Sequence, residues 1–474
     1  VNKGGVAQKL RSKHSGGNST RRFLSDVKLD ANNNLLPLTR ANALNTYNTT
    51  ADLAAELNVV DDPAHQNIDD MLAWAKGENV DNIELEDGSV PTIRYDVMGD
   101  PLHSKPLVIN YGSDAESADI RIIVGTNSGV LHMFSDSGDE VDEAWAYMPK
   151  EFIKNISAFR ENFPSSEKLY AIDGSATVYI SDVDGDGAID EGTDKAWLFF
   201  GLRRGGNAYY ALDISDKDNP KFMWRRTYDG MGQSWSQPKV VFSKINVDGA
   251  EAKPVLVFGS GYSTAKDSAG IGGDDIAGLG IYMVDAETGD PIWRLHPTAS
   301  SITTTFSGTD SIPSMIATLD GDSDGYVDRL YTGDTGGNVW RVDMPGTTIA
   351  DWTVVKLASL GGSDSNANDR RFFSRPTIVR ALITETVEST VEKYDEETGT
   401  TITTTQIDQF KKPYEAILLG SGDVTNPVGT DTEDKFFMVK DENILTESLT
   451  GAAVPDVIEI DDLKDYTLNP FEGL

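Results

Sequence analysis

The repeating unit of this 474-residue chain is clearest at residues 329–343, which read RLYTGDTGGNVWRVD. Two apolar runs, Arg329–Gly333 and Asn338–Asp343, flank four residues of Asp, Thr and Gly. Val, Leu, Tyr and Trp favour strands, whereas Asp-Thr-Gly-Gly favours a tight turn. The segment therefore predicts two antiparallel strands joined by a short turn, the first of them ending in glycine.

The same unit recurs along the chain from about residue 90. A third strand follows each glycine, and several units continue into an outer strand that contains Trp. A Ser-x-Pro step precedes the first strand of four units, where proline suits the first residue of a strand. The apolar strand that ends in glycine occurs five times, at residues 122–125, 198–201, 256–259, 329–333 and 417–420.

Repeated sheets of three or four strands cannot bury their faces alone and must stack on one another around a centre. The glycines are unevenly spaced, as expected for propeller blades that carry insertions. The expected fold class is all-β, a modified β-propeller with at least five legible blades, and a β-sandwich is the alternative. Residues 90–474 would form the propeller, with a hairpin inserted near residues 385–407.

The first 89 residues differ from the propeller part and predict an irregular and helical lead-in. Residues 1–60 are polar and rich in Asn and Thr, which predicts a loosely ordered segment. Apolar residues recur at helical spacing from Ile68 to Ala75, which predicts one amphipathic helix near residues 64–76. The start at Val1, without Met or an apolar signal segment, is expected for an internal fragment or a processed product.

Composition excludes several classes of protein. The chain has no cysteine, so it can form no disulfide, thiolate metal site or iron–sulfur cluster and has no cysteine nucleophile. Its 41 Lys and Arg oppose 76 Asp and Glu, a formal net charge of −35 that repels nucleic acid and anionic lipid. No stretch approaches the roughly 20 apolar residues of a membrane helix. Calcium and basic proteins are the partners that this charge favours.

Two nine-residue segments carry the metal-binding chemistry. Both place Asp at positions 1, 3, 5 and 9 and Gly at position 6, a pattern in which alternate carboxylates on a tight turn converge on one point. Ca²⁺ takes about six to eight oxygen ligands, so we expect one calcium ion in each loop. The expected ligands are the four carboxylates and the position-7 carbonyl of each loop: Asp182, Asp184, Asp186, Ala188 and Asp190 in the first, and Asp320, Asp322, Asp324, Tyr326 and Asp328 in the second.

Neither loop has the glutamate that an EF-hand carries at position 12. We expect Asp190 and Asp328 to ligate directly or through water instead, and Glu191 or Asp194 to assist at the first loop. Each loop lies between the first strand and the glycine-ending strand of its unit, so a bound ion would hold a hairpin tip rather than catalyse a reaction. The other interpretation is a solvated acidic hairpin without a metal.

Signatures of catalysis are scarce. The sequence has no nucleophile elbow, P-loop or HExxH motif. His103 and His132 fall at repeat positions where hydrogen bonding in a turn or in the core is expected. The glycine-rich, basic segment 201–207 (GLRRGGN) would either cradle an anion or form a tight turn whose arginines pair with nearby acids. We therefore expect no enzymatic activity.

Four long motifs resemble, in this order, the C-terminal propeller domain of the PilC/PilY family. The resemblance covers about residues 90–440 and implies about seven blades in all. It also implies that both acidic loops are similar to the calcium loop of that family, in which calcium is linked to the switch between pilus extension and retraction. The motifs are GDPLHSKP at 99–106, VGTNSGVLHMF at 124–134, FGLRRGG at 200–206 leading to YYALD at 209–213, and YTGDTGGNVWR at 331–341.

The resemblance implies a calcium-dependent type IV pilus biogenesis factor and adhesin domain that supports pilus assembly, counteracts retraction and contributes to surface attachment and twitching motility. The implied partners are minor pilins of the pilus tip complex and a host or abiotic surface, with no nucleic acid and no direct membrane insertion. The implied location is the bacterial cell surface, at the pilus tip and outer membrane, after export through the periplasm. An Arg-Gly-Asp motif, which serves host contact in some relatives, is absent.

Two other functions stay open. Residues 282–293 (YMVDAETGDPIW) are similar to the blade repeat of quinoprotein alcohol dehydrogenases, propeller enzymes that use pyrroloquinoline quinone and calcium. In that repeat, Asp and Thr-Gly make the turn and Trp packs between blades, and the adjacent cysteines common in those enzymes are absent here. The third possibility is a purely structural calcium-stabilised propeller that docks another protein through its acidic surface.

Overall fold

The computed structural model of the chain describes residues 5–14, 20–62, 67–85, 87–95, 97–114, 116–138, 141–162 and 168–467. Within these residues the strands form five sheets, each built around three or four consecutive antiparallel strands. The sheets correspond to the five glycine-ending units of the sequence, which confirms the propeller fold. They supply five of the about seven blades that the family resemblance implies.

The lead-in is more ordered than its composition predicts. Its strand of residues 23–29 lies parallel to the outer strand of the first blade, residues 141–147, with Phe23 opposite Ala146. The expectation of a loosely ordered segment is therefore wrong for the described residues, because the hydrogen-bond partner of this strand comes from a distant part of the chain. The elements are α1 (Val6–Lys13), β1 (Phe23–Leu29), β2 (Leu35–Pro37), α2 (Arg40–Ala43), α3 (Thr50–Glu56) and α4 (Ile68–Lys76).

Helix α4 confirms the predicted amphipathic helix. It begins after Asn67, whose side chain accepts a hydrogen bond from the N–H of Asp70, and ends at Gly77, which has a left-handed φ of 103°. Residues 64–66, which the prediction included, lie outside the described residues. None of the helices formed by the described residues is long and apolar enough to cross a membrane.

The first three blades each contain four consecutive antiparallel strands; β1 and β2 extend the sheet of blade 1, and β15 adds a parallel strand to blade 3. Blade 1 has β3 (Leu107–Asn110), β4 (Ile120–Gly125), β5 (Leu131–Asp136) and β6 (Val141–Tyr147), followed by α5 (Ile156–Glu161). Blade 2 has β7 (Ala176–Ser181), β8 (Lys195–Gly201), β9 (Tyr209–Asp213) and β10 (Lys221–Arg226). Blade 3 has β11 (Lys239–Asp248), β12 (Glu251–Gly259), β13 (Ile281–Asp285), β14 (Pro291–His296) and β15 (Thr303–Thr305).

The last two blades differ in completeness. Blade 4 has β16 (Ala317–Leu319), β17 (Arg329–Gly333), β18 (Asn338–Asp343) and β19 (Thr353–Ser359). Blade 5 has β20 (Thr377–Asp395), β21 (Thr400–Gly420) and β22 (Phe436–Asp441), and β23 (Ile458–Glu459) returns to pair with β19. The 3₁₀ turns are Lys150–Asn155, Arg203–Gly205, Thr264–Asp267, Ile349–Asp351, Asn366–Asn368, Gly451–Ala453 and Ile460–Asp462. Residues 385–407 lie in the two-stranded ribbon that β20 and β21 form beyond β22.

The glycine that ends the second strand of a blade is explained by the next blade. A Cβ atom on any of the first four of these glycines would lie closer than 3.0 Å to the segment that leads into the following blade. Gly420 in blade 5 has no such neighbour among the described residues. The glycine motif therefore marks the stacking of one blade on the next. The pairs are Gly125 with Ile172, Gly201 with Ser234, Gly259 with Ile312, and Gly333 with Phe372.

Apolar side chains between adjacent blades form the core. Buried clusters join the lead-in to blades 1 and 2, blade 2 to blade 3, blade 3 to blade 4, and blade 4 to blade 5. Between blades 3 and 4, for example, the rings of Trp293 and Trp352 lie 5.4 Å apart. None of the clusters formed by the described residues joins blade 5 to blade 1, so these residues form an arc of stacked blades.

Candidate metal centres

The two acidic loops occupy the same position in blades 2 and 4. The first follows β7 and the second follows β16, so each connects the inner strand of its blade to the second strand. In both loops the residue at position 8 is buried, and its N–H donates to a carbonyl of the preceding blade. Ile189 donates to Tyr111 at 3.2 Å, and Val327 donates to Phe242 at 2.9 Å. Each loop therefore fastens its blade to the blade before it.

In the first loop the carboxylate of Asp182 organises the turn. Its oxygens accept hydrogen bonds from the N–H groups of Gly185 at 2.6 Å and Gly187 at 2.9 Å. Both glycines have positive φ, a conformation that lets the chain wrap around the carboxylate. Carboxylate oxygens lie within 4.8 Å of one another in two groups: Asp182 with Asp184 and Asp194, and Asp184 with Asp186 and Asp190.

Asp194 joins the first loop although it stands outside the nine residues. It is 5% exposed, and its two oxygens accept hydrogen bonds from the N–H groups of Val183 and Asp190, both at 2.8 Å. The bonds from Asp190 and Val183 lower the pKa of Asp194. Asp190 itself is exposed, and Glu191 lies 3.9 Å from Lys221 instead. Of the two assisting residues expected from the sequence, the fold places Asp194 at the loop and turns Glu191 away.

The first loop has uncompensated negative charge. Desolvation, together with repulsion from Asp186, Asp194 and Asp182, raises the pKa of Asp184. Within the described ranges, no Lys or Arg side chain forms an ion pair with any of the loop carboxylates. Carboxylate oxygens are hard ligands of the kind that Ca²⁺ prefers, so the donor set of this loop fits calcium.

The second loop has the same turn. Asp320 accepts hydrogen bonds from the N–H groups of Gly325 at 2.9 Å and Asp324 at 3.2 Å. Asp328 is 4% exposed, and one of its oxygens accepts from the N–H of Gly321 at 2.8 Å. The oxygens of three carboxylates, those of Asp320, Asp322 and Asp328, lie within 4.8 Å of one another.

The second loop receives a counter-ion from the preceding blade. Lys244 on β11 places its Nζ atom 2.8 Å from Asp324 and 3.3 Å from Asp328. Partial burial opposes the lysine charge, but the hydrogen bonds and attraction of the two carboxylates raise the pKa of Lys244. The same lysine is the main cause of the lowered pKa of Asp324. The ammonium group of Lys244 thus contacts two of the predicted metal ligands, and a metal ion would compete with it for their carboxylates.

At position 7 of each loop, the backbone N–H donates to the carboxylate at position 5. The N–H of Ala188 donates to Asp186 at 2.8 Å, and the N–H of Tyr326 donates to Asp324 at 2.9 Å. Their carbonyl groups stay the predicted backbone ligands. Neither nine-residue loop contains His or Cys. Its side-chain donors are therefore oxygen atoms, the kind of ligand that calcium requires.

Other residues singled out in the sequence have structural surroundings. His103 lies 2.9 Å from the carboxylate of Asp173, and the buried His132 lies 2.7 Å from Glu143. Trp293, from the segment similar to the quinoprotein repeat, is fully buried, and its indole N–H donates to Thr304 at 2.9 Å. These contacts agree with the hydrogen-bonding and packing roles predicted for the two histidines and the tryptophan.

Comparison with known proteins identifies the relatives of this chain. The model of a family described as the PilY1 beta-propeller domain matches residues 97–373, more than half of the chain. The chain is 26% identical over 309 residues to the type IV pilus biogenesis factor PilY1 of Pseudomonas aeruginosa strain PAK. The matching residues cover 58% of this chain and 23% of that protein. It is 27% identical over 305 residues to a PilY1 homolog of Xylella fastidiosa, which covers 56% of this chain and 19% of that protein.

The chain thus spans about a fifth to a quarter of the length of these curated relatives. Among solved structures, the C-terminal domain of Pseudomonas aeruginosa PilY1 is 22% identical, with a TM-score of 0.46, over 72% of this chain and 60% of that chain. BamB from Moraxella catarrhalis is 12% identical, with a TM-score of 0.27, over 70% of this chain and 73% of that chain. On the match to the family model over more than half of its length, the chain belongs to the PilY1 β-propeller domain family.

Proposed function

We propose that this propeller is a calcium-dependent domain of a type IV pilus biogenesis factor. Membership of the PilY1 propeller family and the names of the curated relatives support the pilus function. The calcium dependence rests on one observation: each acidic loop fastens its blade to the preceding blade through the buried residue at position 8. A loop whose carboxylates repel one another holds that contact less firmly than a loop in which they are neutralised.

The residues of each loop have different roles in this proposal. Asp182 and Asp320 shape each turn by accepting backbone N–H groups, and each also belongs to a group of converging carboxylates. Bound Ca²⁺ would supply the positive charge that offsets the carboxylates of the loop. With that charge offset, Ile189 and Val327 keep their hydrogen bonds to blades 1 and 3, and the relative position of blades 1 to 4 is held.

The stacked blades present the surface that pilus partners contact. In this proposal the domain supports pilus assembly, counteracts retraction, and contributes to surface attachment and twitching motility. Its partners are minor pilins of the pilus tip complex and a host or abiotic surface, and it works at the bacterial cell surface after export through the periplasm. The formal net charge of −35 favours a basic protein partner and calcium over nucleic acid.

A calorimetric calcium titration tests the metal part of the proposal. Wild type is expected to bind two ions, Asp186→Ala to lose the ion of the first loop, and Asp324→Ala to lose the ion of the second. Asp431→Ala is a matched control, because Asp431 is exposed and lies outside both loops. A wild-type protein that binds no calcium would show that both loops are solvated hairpins, and the calcium dependence would be withdrawn while the family assignment stands.

The pilus part is tested in the bacterium that encodes this chain. The three substitutions are placed in the full-length gene, and surface piliation, twitching and co-purification with minor pilins are compared. We expect fewer surface pili and less twitching in the loop variants than in the control. Normal piliation in variants that have lost calcium in vitro would separate the metal from the pilus function, and failure to recover any minor pilin with wild type would favour a structural propeller with a different partner.

A further inference from the structure

A cluster of aromatic and arginine side chains lies at the end of the blades opposite to the two acidic loops. The rings of Trp235 and Phe373 are 5.5 Å apart, and those of Trp235 and Tyr262 are 4.8 Å apart. Trp235 leads into blade 3 and Phe373 leads into blade 5, and these blades are not adjacent, so the cluster lies near the centre of the arc. We call it the aromatic–arginine cluster; its members are Tyr170, Arg203, Arg204, Trp235, Tyr262 and Phe373.

The two arginines come from the glycine-rich turn between β8 and β9. Arg203 has a φ of 52°, a left-handed conformation that is unfavourable for a residue other than glycine. Ser234 holds the turn in place, because its carbonyl accepts the N–H of Arg203 at 3.2 Å and its hydroxyl accepts the N–H of Leu202 at 2.8 Å. A side chain at Gly205 would overlap the backbone of Ala171. The turn is therefore rigid, and its shape presents both arginines to the ring of Trp235.

The two arginines differ in what neutralises them. Arg203 donates to the buried carboxylate of Asp173 at 3.0 Å, and its guanidinium carbon lies 4.0 Å from the centroid of the Trp235 ring. Arg204 lies 5.0 Å from the same centroid and 5.4 Å from that of Tyr170. Its Nε atom is buried without a hydrogen-bond partner, and its guanidinium has no ion pair in the described part of the chain. The prediction that the arginines of this turn pair with acids is thus confirmed for Arg203 and wrong for Arg204.

An arginine without a counter-ion is unexpected in a chain with 76 acidic and 41 basic residues. The fully buried Arg329 binds Asp343 at 3.0 Å and Glu415 at 2.6 Å, and the buried Arg370 donates to the carbonyl groups of Glu433 and Leu360, whereas the partly buried Arg204 has neither kind of partner for its Nε atom. A partly buried charge without a partner lowers the stability of the folded state. The position of Arg204 between two aromatic rings therefore points to an anion that comes from outside these residues.

We propose that Arg204, flanked by Tyr170 and Trp235, binds a carboxylate that is attached to a flat apolar group. A guanidinium offers a planar pair of N–H donors that matches the two oxygens of a carboxylate. One unpaired cation matches a monoanion, whereas a phosphate dianion is repelled more strongly by the net charge of −35. Tyr170 and Trp235 are only partly buried, so the exposed parts of their rings offer apolar contact to the body of such a ligand beside the guanidinium. The carboxylate can come from a small aromatic acid or from the C-terminal aromatic residue of a polypeptide.

The test measures binding of benzoate and of its neutral analogue benzamide by calorimetry and by saturation-transfer NMR. Wild type is expected to bind benzoate, and to bind benzamide at least about tenfold more weakly, since a charge-assisted hydrogen bond is lost. Arg204→Gln is expected to weaken benzoate binding by a similar factor, and Arg204→Lys by less, since it keeps the charge. Arg226→Gln is the matched control, because Arg226 is an exposed arginine of blade 2 that pairs with Asp290.

Two further probes distinguish the sources of the carboxylate. They are the peptide acetyl-Gly-Gly-Phe with a free C-terminal carboxylate and the same peptide amidated. Tight binding of the free peptide relative to benzoate, lost on amidation, assigns a polypeptide C-terminus, whereas equal or weaker binding assigns a small acid. The proposal is overturned if neither benzoate nor the free peptide binds wild type, or if Arg204→Gln, shown by its thermal unfolding to be folded, binds them as wild type does.

Discussion

Blades 2 and 4 carry the same nine-residue acidic loop at the same place, but its charge is balanced in different ways. The first loop pairs with no Lys or Arg among the described residues, whereas the second receives Lys244 from blade 3. The buried carboxylate that accepts the N–H of position 2 is Asp194, beyond the loop, in blade 2, and Asp328, inside the loop, in blade 4. One sequence pattern therefore specifies the turn, while the neighbouring blade determines its electrostatic state.

The turns between the second and third strands, at the other end of these blades, also differ in charge. Blade 2 presents the two arginines of its glycine-rich turn, and blade 4 buries the carboxylate of Asp334. Desolvation, with repulsion from Asp310, raises the pKa of Asp334 to about 6. Hydrogen bonds from Trp340 at 2.7 Å and from Asn338 at 2.8 Å hold that carboxylate in place. Blade 4 thus combines a neutralised loop with a titratable turn, and blade 2 combines a charged loop with a cationic turn.

The largest expected effect is that of removing calcium. If both loops bind calcium as proposed, each ion would stabilise the fold by about 2.7 kcal/mol at a hundredfold excess over its Kd, so chelation should lower the free energy of unfolding by twice that amount. At one subsaturating calcium concentration, Asp186→Ala should lose more of this stabilisation than Asp324→Ala, because calcium at the second loop competes with Lys244. Urea unfolding with and without chelator measures the calcium-dependent stabilisation of each variant. Equal losses in the two variants would remove the contrast between the blades.

The next effect is the pH dependence contributed by blade 4. The pKa of Asp334 is about 6 in the fold against 3.8 as the ordinary value, so the fold favours its protonated form. Its contribution to stability is therefore fully present below pH 3.8 and is lost as the pH rises through about 6, a change on the order of 3 kcal/mol. The unfolding free energy of wild type should fall more steeply between pH 4 and pH 7 than that of Asp334→Asn. Parallel slopes for the two proteins would show that Asp334 does not titrate in this range.

Substitutions at position 9 separate the loops in the absence of metal. With chelator present, Asp328→Ala should lower the unfolding free energy by about 2 kcal/mol, because the N–H of Gly321 and the ammonium of Lys244 lose a buried acceptor. Asp190→Ala, at the equivalent exposed position of the first loop, should change it by less than about 0.5 kcal/mol. Urea unfolding of the pair checks this order, and similar losses would show that burial of position 9 does not distinguish the loops.

The smallest expected effect sharpens the comparison at Lys244. Lys244→Met should tighten calcium binding at the second loop by about tenfold, equivalent to about 1.4 kcal/mol, because no ammonium group has to leave the carboxylates. Lys253→Met is the control, since Lys253 pairs with Asp248 at the distant end of the β11–β12 hairpin. Calcium titration of each variant in the Asp186→Ala background isolates the second loop. Unchanged or weaker binding would mean that lysine and calcium do not compete.

Much of this molecule follows from its sequence alone. Runs of apolar, β-branched and aromatic residues bounded by turn residues identified the glycine-ending strands, and the uneven glycine spacing indicated blades with insertions. The Asp and Gly spacing identified both acidic loops, and helical periodicity identified α4. These features are predictable because each depends on backbone geometry and burial within a few consecutive residues. Even the glycines, whose reason is a neighbouring blade, leave a local mark because only glycine fits at the contact.

Tertiary structure alone decided the charge balance. Lys244 reaches Asp324 and Asp328 from another blade, and Asp194 replaces the exposed Asp190 as the buried carboxylate of the first loop. Strand β1 is ordered by β6, and Arg204 stays without the counter-ion that Arg203 finds in Asp173. Local spacing specifies how the backbone turns, but the strength of a charge depends on which distant groups and how much water packing leaves around it. The same nine-residue pattern consequently became two different sites in one propeller.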